Sequence, residues 1–202
     1  SEDDPPFTET SRIDPSSPYS ASKASSDMMA RSFFKTFGLP VIVSNCSNNF
    51  GPFQFPEKLI PLVILNVLHD RPIPVYGTGE NIRDWLFVKD HCEALIRLYD
   101  RGRPGQSYNI GGGTEMANIR IIELICRLLD KKTGRRKSSQ ELVAFVKDRK
   151  GHDFRYSIDS SKIRQELYWE PRFSFSEALD YTIDWYLQNP DWLGTIGNHN
   201  LK

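Results

Sequence analysis

Residues 107–129 read SYNIGGGTEMANIRIIELICRLL, and this stretch decides the fold class. Ser107 to Ile110 is a short run suited to a buried strand. Gly111 to Gly113 turn the chain, and Asn118 can cap a helix whose apolar residues recur at helical spacing through Leu129. The same order of strand, glycine turn and helix recurs upstream. Ile73 to Tyr76 gives a strand closed by Gly77 and Gly79, and Ile82 to Val88 an extended run. A helix from Lys89 to Arg101 follows, ended by Gly102. Such recurrence predicts an α/β fold with a parallel sheet.

Working outward, Tyr19 to Phe37 reads as a helix, with Ser17 as N-cap, Pro18 at its first position and Gly38 as its stop. Val41 to Cys46 is a β-branched run suited to a buried strand, Ser47 to Lys58 a loop, and Leu59 to His69 a helix. Lys131 to Gln140 is a polar connector whose five basic residues read as a solvated loop. Leu142 to Val146 alternates as a strand. Ser174 and Glu177 form a capping box for a terminal helix whose apolar face is Leu179, Ile183, Tyr186 and Leu187. Ser1 to Pro18 is acidic, contains proline and shows no periodicity, and it leads into a helix with no preceding strand. That predicts a chain beginning in mid-fold.

Composition narrows the function classes. The 202 residues carry 26 Lys plus Arg against 26 Asp plus Glu, which removes the basic excess that bulk nucleic-acid binding requires. The longest nearly apolar stretch, Leu59 to Leu68, is about half the roughly 20 residues that span a bilayer, and the first residues lack the layout of a secretory signal. A cytoplasmic protein is expected, with no membrane or nucleic-acid partner. Cys46, Cys92 and Cys126 lack Cys-x-x-Cys spacing and read as buried free thiols. The four histidines lack metal-site spacing, so no metal site is expected.

Tyr19 and Lys23 stand four residues apart, on one helical face. An ammonium beside a phenol favours the phenolate, which can take a proton from a sugar hydroxyl as a nicotinamide enzyme oxidises it. The dinucleotide fingerprint fails, however: Met116 stands where the third glycine after Gly111 and Gly113 would be, and Ile82 where it would follow Gly77 and Gly79. If the protein uses NAD, the phosphate-cradling half of its site is expected outside this chain. NCSNNFGPFQFPEKLIP, from Asn45 to Pro61, offers amides for sugar hydroxyls and Lys58 near a helix start, where anions are favoured. PIPVYGTGENIRDWLFV, from Pro72 to Val88, adds a Pro and a Tyr that could face a base, and Arg83, whose forked donors suit a diphosphate. Each also has a plain structural reading: asparagines as loop formers, Pro74 and Tyr76 as core, Arg83 as a surface pair with Asp84.

Taken together, these segments, with YNIGG and DRKGHDFRYSID, resemble the bacterial dTDP-glucose 4,6-dehydratase family of extended short-chain dehydrogenases. The resemblance runs from Pro18 to Trp192. It implies a partial NAD-binding Rossmann fold with a smaller substrate lobe. Residues 1–50 would carry the last part of the Rossmann domain, and residues 51–202 mainly the nucleotide-sugar lobe, with 82–118 returning to the Rossmann domain. It implies conversion of dTDP-glucose to dTDP-4-keto-6-deoxyglucose and water with NAD. Tyr19 would be the base, and Lys23 would hold the nicotinamide ribose and favour the phenolate. Asn49 would lie in the cofactor region. Asn48, Lys58, Leu59, Pro74, Tyr76, Arg83 and Asn118 would line the nucleotide-sugar site, closed by Arg149 and His152. A homodimer through the Tyr19 to Phe37 helix is also implied. The family's glycine-rich loop and Asp-Glu pair precede the segment that begins at Ser1, so this segment alone is expected to be inactive. The alternatives are another NAD-dependent nucleotide-sugar epimerase, decarboxylase or dehydratase, or a non-catalytic nucleotide-sugar-binding fragment.

Overall fold

The computed structural model describes residues 5–148 and 153–192. In chain order its elements are α1 (Pro18–Phe37), β1 (Val43–Cys46), β2 (Asn48–Phe50), α2 (Leu59–Leu68), β3 (Ile73–Tyr76), β4 (Ile82–Phe87) and α3 (Val88–Arg101). There follow β5 (Ser107–Ile110), β6 (Glu115–Ala117), α4 (Asn118–Thr133), a 3-10 turn (Ser139–Leu142), β7 (Val143–Val146), β8 (Arg155–Tyr156), α5 (Ser161–Leu167) and α6 (Phe175–Gln188). α1 starts and stops where its sequence directs. Ser17 accepts from Ser20 N, and Gly38 adopts the left-handed conformation at the end.

Two expectations need correction. The segment after Cys46 is not loop throughout: Asn48–Phe50 forms β2, parallel to β4, with Asn48 opposite Trp85 and Phe50 opposite Phe87. Its three residues are too short to show alternation, and the ladder comes from a partner far along the chain. Asn118 does not cap α4 from outside; it is the first helical residue, Ala117 is the N-cap, and no side chain caps that end. The cysteine reading also changes, since Cys126 is buried, Cys46 half-buried and Cys92 exposed on α3.

β1 and β5 pair in parallel, Val43 opposite Ser107 and Cys46 opposite Ile110. β4 is the hub of a second sheet. It runs parallel to β2 and β8 and antiparallel to β6, with Arg83 opposite both Tyr156 and Met116. β3 and β7 form a further parallel pair. The acidic opening segment is tied in as well: Phe7 N donates to Ser157 O at 3.0 Å, and Asn109 Nδ2 donates to Phe7 O at 2.9 Å.

Two hydrophobic cores form, and β4 stands between them. Trp85 and Phe87 join Phe50 and the apolar faces of α2, α4 and α6, whereas Leu86 joins Ala94, Leu98, Tyr108, Ile110, Ile163, Leu167 and Trp169. Alternate residues of one strand thus serve opposite faces. The Lys131–Gln140 connector is partly structural. Lys132 bridges Asp180 and Asp184 of α6 at 2.8 and 2.7 Å, and Arg135 pairs with Asp70 at 2.6 Å while donating to Val67 O. Among the described residues, no helix is long and apolar enough to cross a membrane.

Candidate functional site

β3 shows how the sequence builds a binding wall. Ile73 and Val75 are buried in the larger core, so the period of two turns Pro74 and Tyr76 the other way. They face a cleft of about 550 Å³, lined also by Asn48, Glu57, Lys58, Leu59, Leu62, Arg83, Trp85 and Asn118. Every described residue expected to contact a nucleotide sugar is therefore here, gathered from β2, the start of α2, β3, β4 and the start of α4. Arg149 and His152 lie outside the described residues. Sequence reasoning missed Glu57, Leu62 and Trp85. Leu62 sits one helical turn beyond Lys58, and Trp85 two residues after Arg83 on a strand, so both signals were present as periodicity.

The cleft is polar where a ligand would need partners. The guanidinium of Arg83 is oriented by three carbonyls, Ile82 O at 2.7 Å, Phe154 O at 3.3 Å and Asp153 O at 2.7 Å. Burial lowers its pKa, and the charge of Asp153 opposes that shift. Lys58 is the N-cap residue of α2, exposed and paired with Glu57 at 2.8 Å. Two wall atoms, Asn118 Oδ1 and Trp85 Nε1, are buried without a hydrogen-bond partner among the described residues. Such atoms are expensive to leave unpaired and mark where a ligand or water belongs.

Arg83 and Asp84 are not a surface pair. Asp84 is buried and points away from the cleft, accepting from Gly112 N at 3.0 Å and Thr114 N at 2.8 Å. The glycine turn is required there: a Cβ on Gly112 would lie 1.8 Å from Trp85 O.

Tyr19, Lys23 and Asn49 form a second group, outside the lining of the cleft. Tyr19 is 75% exposed at the first turn of α1, and Lys23 follows one turn later on the same face. The charge of Lys23 is felt at Cys46 on β1, whose thiol pKa is raised by burial against a 3.2 Å donation from Asn49 Nδ2. Asn49 Oδ1 is buried and unpaired among the described residues. Tyr156 joins the two groups. It pairs in register with Arg83, and its pKa is raised, chiefly by burial and then by Cys46.

A parallel β1–β5 pair beside a Tyr-x-x-x-Lys helix, together with a polar cleft, fits the α/β fold of the NAD-dependent extended short-chain dehydrogenases. The family model for GDP-mannose 4,6 dehydratase matches residues 1–182, and the chain belongs to that family. It is 53% identical over 200 residues to a dTDP-glucose 4,6-dehydratase of Xanthomonas campestris pv. campestris, covering 97% of this chain and 57% of that protein. An Escherichia coli dTDP-glucose 4,6-dehydratase is 53% identical over 190 residues, 94% of this chain and 53% of the relative. The crystal structure of the Bacillus anthracis dTDP-glucose 4,6-dehydratase in complex with NAD aligns with TM-score 0.87 at 45% identity, over 96% of this chain and 60% of that one. The chain thus spans little more than half the length of the relatives it matches.

Proposed function

We propose that this chain is the nucleotide-sugar-binding part, with the Tyr-x-x-x-Lys helix, of an NAD-dependent dTDP-glucose 4,6-dehydratase. One observation carries the reading: residues from five separate elements converge on a single cleft, and they are the set that a nucleotide sugar would need. The names of the relatives and the NAD in their crystal structures support the same substrate and cofactor. NAD, when bound, supplies a reversible hydride acceptor, so that the net reaction is loss of water from dTDP-glucose to give dTDP-4-keto-6-deoxyglucose.

Tyr19, open to solvent at the helix start, takes the proton of the sugar hydroxyl that is oxidised. Lys23 holds the nicotinamide ribose and favours the phenolate. The unpaired Asn49 Oδ1 fits the cofactor side as an acceptor. Arg83 and Lys58 meet the diphosphate, Pro74 and Tyr76 face the base, and Asn48, Leu59 and Asn118 line the rest of the cleft.

We infer a matching domain division. Residues 1–50 and 82–118 belong to the Rossmann part and the remaining residues mainly to the substrate lobe, with α5 packing into the Rossmann-side core. We also propose a cytoplasmic homodimer through α1, on which no residue is buried and Met28, Met29, Phe33 and Phe37 are exposed.

Titration calorimetry with dTDP-glucose tests the cleft. Arg83→Ala should weaken binding by about tenfold or more, in keeping with loss of a charge-assisted contact, while Tyr19→Phe leaves it unchanged. Equal affinity in Arg83→Ala and wild type overturns the assignment.

A further inference from the structure

The loop between β2 and α2, residues 51–58, carries Glu57 and Lys58 to the cleft, yet its conformation is set from outside the cleft. Phe53 is held at φ 64°, a left-handed conformation costly for a bulky residue. A strained residue persists only when its surroundings over-determine it. Those surroundings come largely from α6. The buried hydroxyl of Tyr186 donates to Gln54 O at 2.8 Å, with Gly51 O at 3.3 Å, so it spans both sides of Phe53. The Phe53 ring packs 4.5 Å from Trp185 and 5.2 Å from Trp192. Gln54 Nε2 then donates to Asn49 O at 2.7 Å, fastening the loop to the strand that bears Asn48. Lys58 N closes the turn on Phe55 O at 3.1 Å.

We propose that Tyr186 is a positioning residue for the nucleotide-sugar cleft: its hydroxyl locks the 51–58 loop so that Asn48, Lys58 and Leu59 present a preformed wall to the ligand. The inference rests on the cleft reading given above. Tyr186 lies outside the lining of the cleft and acts only through the loop. A preformed wall spares the ligand the ordering of the loop, so loosening it lowers affinity without removing a contact.

The test compares Tyr186→Phe with Thr182→Val, both read by titration with dTDP-glucose, by thermal melting and by hydrogen exchange of the loop amides. Thr182 is buried one turn earlier on α6 and donates to Ala178 O of the same helix at 2.6 Å, so its loss perturbs the helix and leaves the loop alone. Tyr186→Phe should raise Kd at least fivefold and speed exchange selectively at residues 51–58. Thr182→Val should change neither, whatever its melting temperature. If wild type binds and Tyr186→Phe binds equally well, the positioning role is wrong. If wild type does not bind dTDP-glucose, the cleft reading fails; selective loosening of the loop in Tyr186→Phe then upholds the mechanical link alone, and uniform exchange overturns that too.

Discussion

Single side chains settle which groups are chemically available. Burial pushes the Cys126 thiol up to about 12, whereas Cys92 is exposed. The thiolate is the reactive form. One thiol per chain should therefore react quickly with a disulfide reagent at pH 8, and Cys92→Ser should abolish that fast phase. His91 gives a pH prediction. Its Nε2 is buried with no hydrogen-bond partner among the described residues, and burial lowers its pKa below the usual 6.5. The folded state therefore takes up the proton less readily than the unfolded one. Stability from the neutral ring is fully present above about pH 6.5 and is lost as pH falls from there through the lower folded value. Melting temperatures from pH 8 to 5 should drop more steeply in wild type than in His91→Leu; parallel curves would refute this. Roles at this scale were only partly legible. Arg83 could be picked out because a cation beside aromatic and proline residues is informative, but Asp84 looked like its surface partner. Only the fold reveals that Asp84 serves a glycine turn some thirty residues away.

Whole elements were legible wherever local chemistry dictates them. α1 and α6 start at the residues their caps specify, and α6 has both halves of its capping box in place. Ser174→Ala should cost about 1 kcal/mol of stability, measurable by denaturant unfolding. The elements that escaped reading, β2, β6, β8 and α5, are two to seven residues long. Three of them exist because β4 supplies a ladder, and α5 because Ile163 and Leu167 find a core beside α3 and β5. No window of sequence contains that partner. The glycine turn between β5 and β6 belongs to the same scale. Gly112→Ala would drive a methyl group into Trp85 O, so the variant should be recovered unfolded or not at all, while Gly134→Ala, which meets open space but sits at φ 66°, should fold with about 1 kcal/mol of stability lost. A well-folded Gly112→Ala would show that the β4 backbone can yield.

At the scale of the molecule, the chain carries the cleft proposed for a nucleotide sugar and no G-x-G-x-x-G fingerprint in its sequence. Mixed with dTDP-glucose and NAD, these 202 residues alone should form no keto-sugar, as followed by the absorbance of the product in alkali. Supplying the part of the relatives' length that this chain does not span should restore turnover, and Tyr19→Phe in that longer protein should lower kcat about a hundredfold with little change in KM. Turnover by the short chain would show that an unrecognised acid and base lie within it. Light scattering on the longer protein should give a dimer; a monomer would leave the exposed α1 face unexplained.

The alternation along β4 has a further consequence, for what evolution can do with this strand. Arg83 and Trp85 face the cleft, Asp84 the glycine turn and Leu86 the second core, so odd and even positions answer to different demands. A deletion or insertion of one residue at the start of β4 itself, where the ladder and not a loop would have to take up the change, would present the carboxylate to the cleft and aim the guanidinium at the turn, exchanging both cores' side chains in the same stroke. Length changes within the strand are therefore tolerable only in pairs. Substitutions, by contrast, can retune one face while the other stays untouched, which lets ligand preference drift without disturbing the partition that holds the molecule up.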